Sequence, residues 1–475
     1  MYIVGATLGG VFTFLVFPAV LFLAAARFLR ADDDEAPGLF LMALPAGPIT
    51  IAWILYVLFH AIPHQPAWVY FAIIGVVTVL AGVWGRGQIP QWALVGRAMR
   101  EIIRRIAGRP RTMNHFVASL AVFVWLIGFI QCLLYPMYAN DPIEYAVIGE
   151  IVNREKSLEM YPLTKADPVK GVILGTAHPP ANVLLIAWTY MLQGRPEFVG
   201  LARWIQGVHG LWIMLLVWYL LRDFPALVGS MANLVLISTP LFFTLMTSHA
   251  IEPIRIATFT LSFVWLAEAL DKPATPRRFI AAGVIVGLSM FSHSIGFFTA
   301  PFFVVTYGLL SRSPMMQRAR YAGIAMVTAV ALGGWQYLSN FLSYGTPFVT
   351  TNPLAPLEDK LGIEAYALIT RRLIHPSDIL LNGVLRPFVR IEMFGLSFFL
   401  AVLALAFYHR TIWNDPRGRL AVVVALMNYA FILAVAASGG IGVFGNSRYM
   451  LTALPFVAAA AGILLGRVYE TYAKA

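Results

Sequence analysis

Apolar runs of roughly 18–25 residues recur from one end of this chain to the other, each long enough to cross a hydrocarbon core about 30 Å thick. Lipid offers no water to a peptide group, so a crossing segment must close its own hydrogen bonds as a helix or join a closed barrel. Barrel strands would read as short alternating segments, which the sequence lacks. Composition agrees, with 59% of the 475 residues hydrophobic and only 12% charged. The expectation is an all-α, polytopic integral membrane protein. Its first apolar run has neither a basic leader nor a small-residue cleavage site and reads as a retained helix. A single cysteine, Cys132, leaves no intramolecular disulfide framework and no cysteine-based metal site. No Asn-x-Ser/Thr sequon occurs, in keeping with a bacterial inner membrane.

Charge placement sets the topology. The segment "GRGQIPQWALVGRAMREIIRRIAGRPR" (85–111) carries seven arginines and one glutamate, so the positive-inside rule makes it cytoplasmic. Within it Trp92, Val95, Met99, Ile102, Ile103 and Ile106 share one helical face, the pattern of an amphipathic helix lying on anionic lipid. The net charge of +11 is therefore assigned to lipid headgroups and not to nucleic acid. Three spans precede the segment, near 2–28, 38–61 and 67–84. Ten follow, near 115–137, 200–222, 226–248, 254–271, 278–292, 295–311, 320–340, 393–409, 419–437 and 448–466. That makes about 13 transmembrane helices, with the N-terminus outside. The short run 179–192 reads as a re-entrant or tilted helix, because a full crossing there would turn every later basic loop outward. Interfacial helices are expected in the first long outer loop, 138–178; a second long outer loop covers 341–392. The acidic "DDDE" at 32–35 reads as a solvated run in the first cytoplasmic loop.

The outer loops hold the residues that could carry chemistry. In "YPMYANDPIEYAVIGEIV" (135–152) a span ends and Asp141 follows at once. With Pro142 and Glu144 it could form a helix-capping box. Capping does not require a carboxylate where desolvation is costly, and a carboxylate there can also hold a divalent cation or accept a hydroxyl proton. Glu252, in "HAIEPIR" between two spans, is a turn residue paired with Arg255, or a second acid converging on Asp141. Asp141 and Glu252 together would make an oxygen-ligand pair for magnesium or manganese. Arg255, Arg371, Arg372, Arg386, Arg390 and Arg448 fall outside or at the membrane edge, against the usual bias. They neutralise lipid and nearby acids, or they recognise phosphate with the guanidinium fork. His178 in "GTAHPPANV" and His293 in "MFSHSIGFF" are packing residues, or groups that bind phosphate or tune a carboxylate. Neither a P-loop nor an HExxH motif is present.

Taken in order, "NDPIEYAVIGEIV", His178–Pro179–Pro180, the Arg203 segment, "HAIEPIR", "GLSMFSHSIG", "NFLSYGTPF" and "NSRYMLTALPFVAAAAG" resemble the GT-C glycosyltransferases of the protein O-mannosyltransferase and aminoarabinose-transferase type. The resemblance covers about 115–466, a GT-C-like catalytic membrane module. Outside it lie three extra helices (1–84), a basic cytoplasmic linker (85–114) and a short tail (467–475). Two departures stand out: Glu252 where the pattern more often has Asp, and His293 where lysine is common. The resemblance implies an inverting transfer of a sugar from a polyprenyl-phosphate donor to an acceptor hydroxyl on a glycan, lipid or protein, at the periplasmic face. Asp141 would be the general base, with Glu144 and Glu252 orienting it or sharing a metal. Arg255, His293, Arg371, Arg372, Arg448 and His178 would attend the donor phosphate. The rival reading is a transporter or flippase of an anionic or lipid-linked substrate. That class calls for an internal repeat and mid-bilayer charges; no repeat is evident, and the acids sit at the outer edge.

Overall fold

The computed structural model describes residues 2–107, 112–137, 140–159, 161, 178–194, 200–344, 347, 385–437 and 447–473, and their regular structure is all helical. The first expected span is α1 (Tyr2–Val11), a π-helical turn (Phe12–Val16) and α2 (Phe17–Leu29). Its two neighbours are α3 (Ala36–Ala61) and α4 (Ala67–Gly85). Next come α5 (Gln91–Ala107), α6 (Met113–Leu134), α7 (Asn140–Glu155) and α8 (Ala181–Gln193). The middle of the chain forms α9 (Trp204–Leu220), α10 (Ala226–Ile237), α11 (Pro240–Thr247) and α12 (Glu252–Asp271). It continues with α13 (Pro276–Ser292), α14 (Thr299–Leu310), α15 (Met315–Gly333) and α16 (Trp335–Tyr344). The last three long helices are α17 (Ser397–Asn414), α18 (Pro416–Ala437) and α19 (Leu454–Ala473).

The expected runs fall on helical residues, though not all on one helix long enough to cross a bilayer. Among the described residues, seven helices are long and apolar enough to cross a bilayer alone, and α10 with α11, bent by 66°, makes an eighth span if the pair is one. The break falls at Pro240, which opens α11 and has no N–H to continue α10. The chain is an all-α integral membrane protein.

The helix α12 is the axis of the bundle, buried from Glu252 to Ala269. Beside it α13 and α15 cross at backbone distance. A Cβ at Gly283 would lie 2.5 Å from the Ala325 carbonyl oxygen, and one at Gly333 2.2 Å from that of Gly287. Gly283 and Gly287 form a GxxxG face, and the small residues opposite let the helices meet closely enough for dispersion forces to hold them.

Two local expectations need correction. Trp92 of α5 packs edge-on against Phe22 (5.5 Å between ring centroids) and Phe40 (5.2 Å), so the start of the amphipathic face lies on protein instead of lipid. Arg97 and Arg100 on the other face are exposed. The acidic run is not uniformly solvated: Glu35 is buried and pairs with Arg278 at 2.5 Å, while Asp34 pairs with Lys272 at 2.7 Å. The short helix α8 is enclosed by protein, with the Trp188 indole donating to Thr13 Oγ1 (2.8 Å) and Ile186 against Gly149.

The N-terminal helices also grip the element that carries Asp141. After α3, the His64 amide donates to the carbonyl oxygen of Lys156 (3.0 Å), and its ring Nδ1 lies 2.8 Å from that of Glu155, at the end of α7.

Candidate active site

Two helix starts bring two acids together. Asp141 lies in the first turn of α7 and Glu252 opens α12, each followed by a proline. Proline suits the first turn because no N–H is needed there, and the exposed N–H groups of a helix start favour a carboxylate. Between the acids comes Arg448, from the 3₁₀ segment Ser447–Thr452. Its Nη1 donates to Asp141 Oδ2 at 2.6 Å and its Nε lies 3.2 Å from Glu252 Oε1. One turn beyond Glu252, Arg255 is buried and donates from Nη2 to the Arg448 carbonyl oxygen at 2.7 Å. Its guanidinium lies 5.3 Å from the centre of the Tyr449 ring.

A pair of histidines adjoins these groups. The His178 and His293 rings stack with centroids 4.0 Å apart. His178 Nδ1 is 2.8 Å from Ser294 Oγ, and His293 Nδ1 accepts from the Ile295 amide at 3.1 Å. The Tyr161 hydroxyl bonds the His178 carbonyl oxygen, and that of Tyr337 donates to the His293 carbonyl oxygen at 3.1 Å. The structure therefore brings Asp141, Glu252, Arg255, Arg448, His178 and His293 into one neighbourhood. Glu144 is buried one turn along α7. Arg390 faces Glu392 at 3.0 Å. Arg371 and Arg372, with most of the second long loop, lie outside the described residues.

The electrostatics divide the groups by charge state. Burial, then Arg255 and Arg448, pull His178 down to about 4. Burial, then His178 and the same arginines, hold His293 well below its ordinary value of 6.5. Both rings are neutral at pH 7. Burial works against the Arg448 charge, but Glu252 and Asp141 outweigh it and keep the guanidinium protonated. Burial, then Asp141 and Glu252, raise Tyr145 well above the usual phenol range, so it keeps its proton. The tyrosines Tyr145, Tyr161 and Tyr449 escaped the sequence reading, because tyrosine at a membrane boundary is commonplace.

Access differs between the two acids. The Asp141 side chain is 38% exposed and that of Glu252 only 2%. Glu252 Oε2 and the Nε and Nη1 of Arg255 are buried with no hydrogen-bond partner among the described residues. Leaving such donors unmet is costly, and an anion bound beside them would recover that energy. No cluster of three or more His, Cys, Asp or Glu side chains suited to a metal ion occurs among the described residues. The guanidinium of Arg448 lies between the two carboxylates, where an ion bridging them would have to sit.

Residues 177–335 match the family model of the dolichyl-phosphate-mannose-protein mannosyltransferases. That stretch holds His178, Glu252, Arg255 and His293, but neither Asp141 nor Arg448. No curated protein matches the chain in sequence. Among solved structures, the apo oligosaccharyltransferase of Archaeoglobus fulgidus is similar at 14% identity and a TM-score of 0.48, over 76% of this chain and 52% of that one. ArnT from Cupriavidus metallidurans bound to undecaprenyl phosphate is similar at 14% identity and 0.48, over 76% of this chain and 61% of that one. Its apo state gives 16% and 0.48, over 76% and 60%. The chain spans between half and two thirds of the length of these structures.

Proposed function

We propose that this chain is an inverting GT-C glycosyltransferase of the bacterial inner membrane. It moves a sugar from a polyprenyl-phosphate donor to an acceptor hydroxyl on a glycan, lipid or protein, at the periplasmic face. One observation carries the reading: an accessible carboxylate, Asp141, shares a guanidinium with a buried one, Glu252, beside a second arginine whose donors are unmet. The family-model match over 177–335 supports the same class of reaction.

The groups divide the work by charge and access. Asp141, reachable from outside, takes the proton of the acceptor hydroxyl as its oxygen attacks the anomeric carbon. The bond from that carbon to the donor phosphate breaks on the opposite side, so the anomeric configuration inverts. The departing lipid phosphate needs charge stabilisation more than a proton, and Arg448 and Arg255 supply it from fixed positions. Neutral His178 and His293 contribute hydrogen bonds without competing as cations. Glu252 holds Arg448 in place from below. Arg371 and Arg372 belong to this proposal as further phosphate partners. For the polyprenyl tail, the fold offers an apolar groove between α17, α18 and α19, walled by Phe398, Leu405, Val422, Tyr429 and Phe456.

The experiment is Asp141→Asn in purified protein supplied with a polyprenyl-phosphate sugar. Losing a general base costs about 10²–10⁴ in rate. Transfer should fall by that factor while the thermal unfolding midpoint stays near that of the parent. Transfer at the parental rate removes Asp141 as the base.

A further inference from the structure

The turn that leads into Glu252 holds a strained residue. Helix α11 ends in a left-handed capping turn, where the His249 amide donates to the Met246 carbonyl oxygen (3.3 Å) and the Ala250 amide to that of Leu245 (3.0 Å). Glycine is usual at the left-handed position of such a turn, yet His249 occupies it at φ 65°. The residue is 4% exposed, and its Nδ1 is buried without a hydrogen-bond partner among the described residues. A histidine held in a disfavoured backbone conformation, with one ring nitrogen unmet, directs attention to what the other nitrogen does.

His249 Nε2 lies 2.9 Å from the Cys132 carbonyl oxygen, 117 positions away in the chain. A carbonyl only accepts, so Nε2 carries the proton. Pro136 explains why that oxygen needs an outside donor: the N–H four residues on would bond it in a continuing helix, and proline has none. The next carbonyl, that of Leu133, accepts from Arg203 Nη1 at 3.0 Å, from the start of α9. In the opposite sense, Cys132 Sγ donates to the Met246 carbonyl oxygen at 3.3 Å. Side chains of two other elements therefore cap the open end of α6. The chain leaves that end for Asp141, nine positions past Cys132, and Glu252 follows His249 by three.

We infer that His249 is a positioning residue for the transfer proposed above, on which its effect on rate rests: it fixes the start of α12, with Glu252 and Arg255, against the end of α6 that feeds Asp141. A base and a phosphate clamp carried on different helices act together only at a fixed separation, and misplacement by about 1 Å can cost about 10² in rate.

The test compares His249→Gly with His249→Gln in the full chain in detergent. Glycine suits the left-handed turn and drops the ring, whereas glutamine carries an amide N–H to much the same reach as Nε2. With a polyprenyl-phosphate sugar that the parent turns over, kcat should fall about 10²-fold in the glycine variant, while donor KM and the unfolding midpoint stay near the parent's. The glutamine variant should recover most of that loss. Hydrogen exchange followed by mass spectrometry should rise in the glycine variant at the end of α6 and the start of α12 together, and fall back in the glutamine one. If His249→Gly does not fold, as judged by gel filtration, His249→Leu, which fills the space without a donor, takes its place. Parental kcat without the ring, or a glutamine variant no better than the glycine one, overturns the assignment. A parent that turns over no such donor sinks the transfer itself. The exchange pattern then decides alone, and unchanged exchange in the glycine variant removes His249 as the tie.

Discussion

The helix α12 carries an ionic cluster at each end, and the two are built on opposite plans. Glu252 and Glu268 are sixteen residues apart, about 24 Å along a straight helix. At the far end Arg417, 2% exposed, reaches Asp223 (2.7 Å), Glu268 (2.8 Å) and Asp271 (2.7 Å). Arg222 adds a bidentate pair to Glu268, at 2.6 and 3.2 Å. Acids in the last turn of a helix meet the negative end of its dipole, so these two arginines are needed to hold them. At the near end Glu252 meets the positive end of the same dipole, and its remaining oxygen and the spare donors of Arg255 stay unmet. One cluster is held by several ion pairs around Arg417; the other keeps unmet atoms on both Glu252 and Arg255.

Substitutions should separate the two. The largest effect on stability is expected from Arg417→Ala, which takes a buried guanidinium from three acids, two of them on α12, and leaves Glu268 with Arg222 alone. Breaking such a buried network costs about 3–5 kcal/mol, read as a lowered unfolding midpoint in detergent. Arg448→Ala should lower the midpoint less, because Arg448 is 28% exposed, its partner Asp141 reaches solvent, and buried Glu252 keeps Arg255 as a neighbouring cation. Its effect should fall on transfer instead, about 10²–10³ in rate if it stabilises the departing phosphate. Equal destabilisation by both variants would break the contrast.

A smaller effect concerns pH. Both site histidines resist protonation when folded, whereas the unfolded chain takes up protons near pH 6.5. Between about 4 and 6.5 the unfolded state therefore binds more protons, so stability rises with pH across this window and is lost as pH falls through it. Replacing His293 with Gln should flatten that slope in thermal unfolding measured from pH 7 to pH 4. An unchanged slope would mean that the histidine pair does not set it. The smallest effect is expected from chelation. A magnesium or manganese ion bridging Asp141 and Glu252 would have to displace Arg448, so EDTA should leave transfer unchanged; loss of transfer, restored by added ion, would show that the acids do take a metal.

How far the sequence could be read follows from which signals are rare. An acid or an arginine at the edge of an apolar span is unusual, so Asp141, Glu252, Arg255 and Arg448 are legible in the sequence. Helix positions were equally plain, because an apolar run in lipid has little choice of structure. The far cluster was illegible for the converse reason: Asp223, Glu268, Asp271 and Arg417 fall where charged residues are ordinary, and only folding shows that Arg417 is buried among them. Glu35 looked solvated for the same cause. The seat of α8 was also hidden, since an apolar helix enclosed by protein has the composition of one facing lipid. The same holds for Trp92, whose indole packs on Phe22 and Phe40.

Arg448 and Asp141 are 307 positions apart in the chain, yet one hydrogen bond joins them. Everything between must be threaded through the bilayer in the right sense before that contact can close. A molecule with a single helix inverted would leave one partner on the wrong side of the bilayer. The pair therefore closes only once every intervening helix has been inserted in its proper sense.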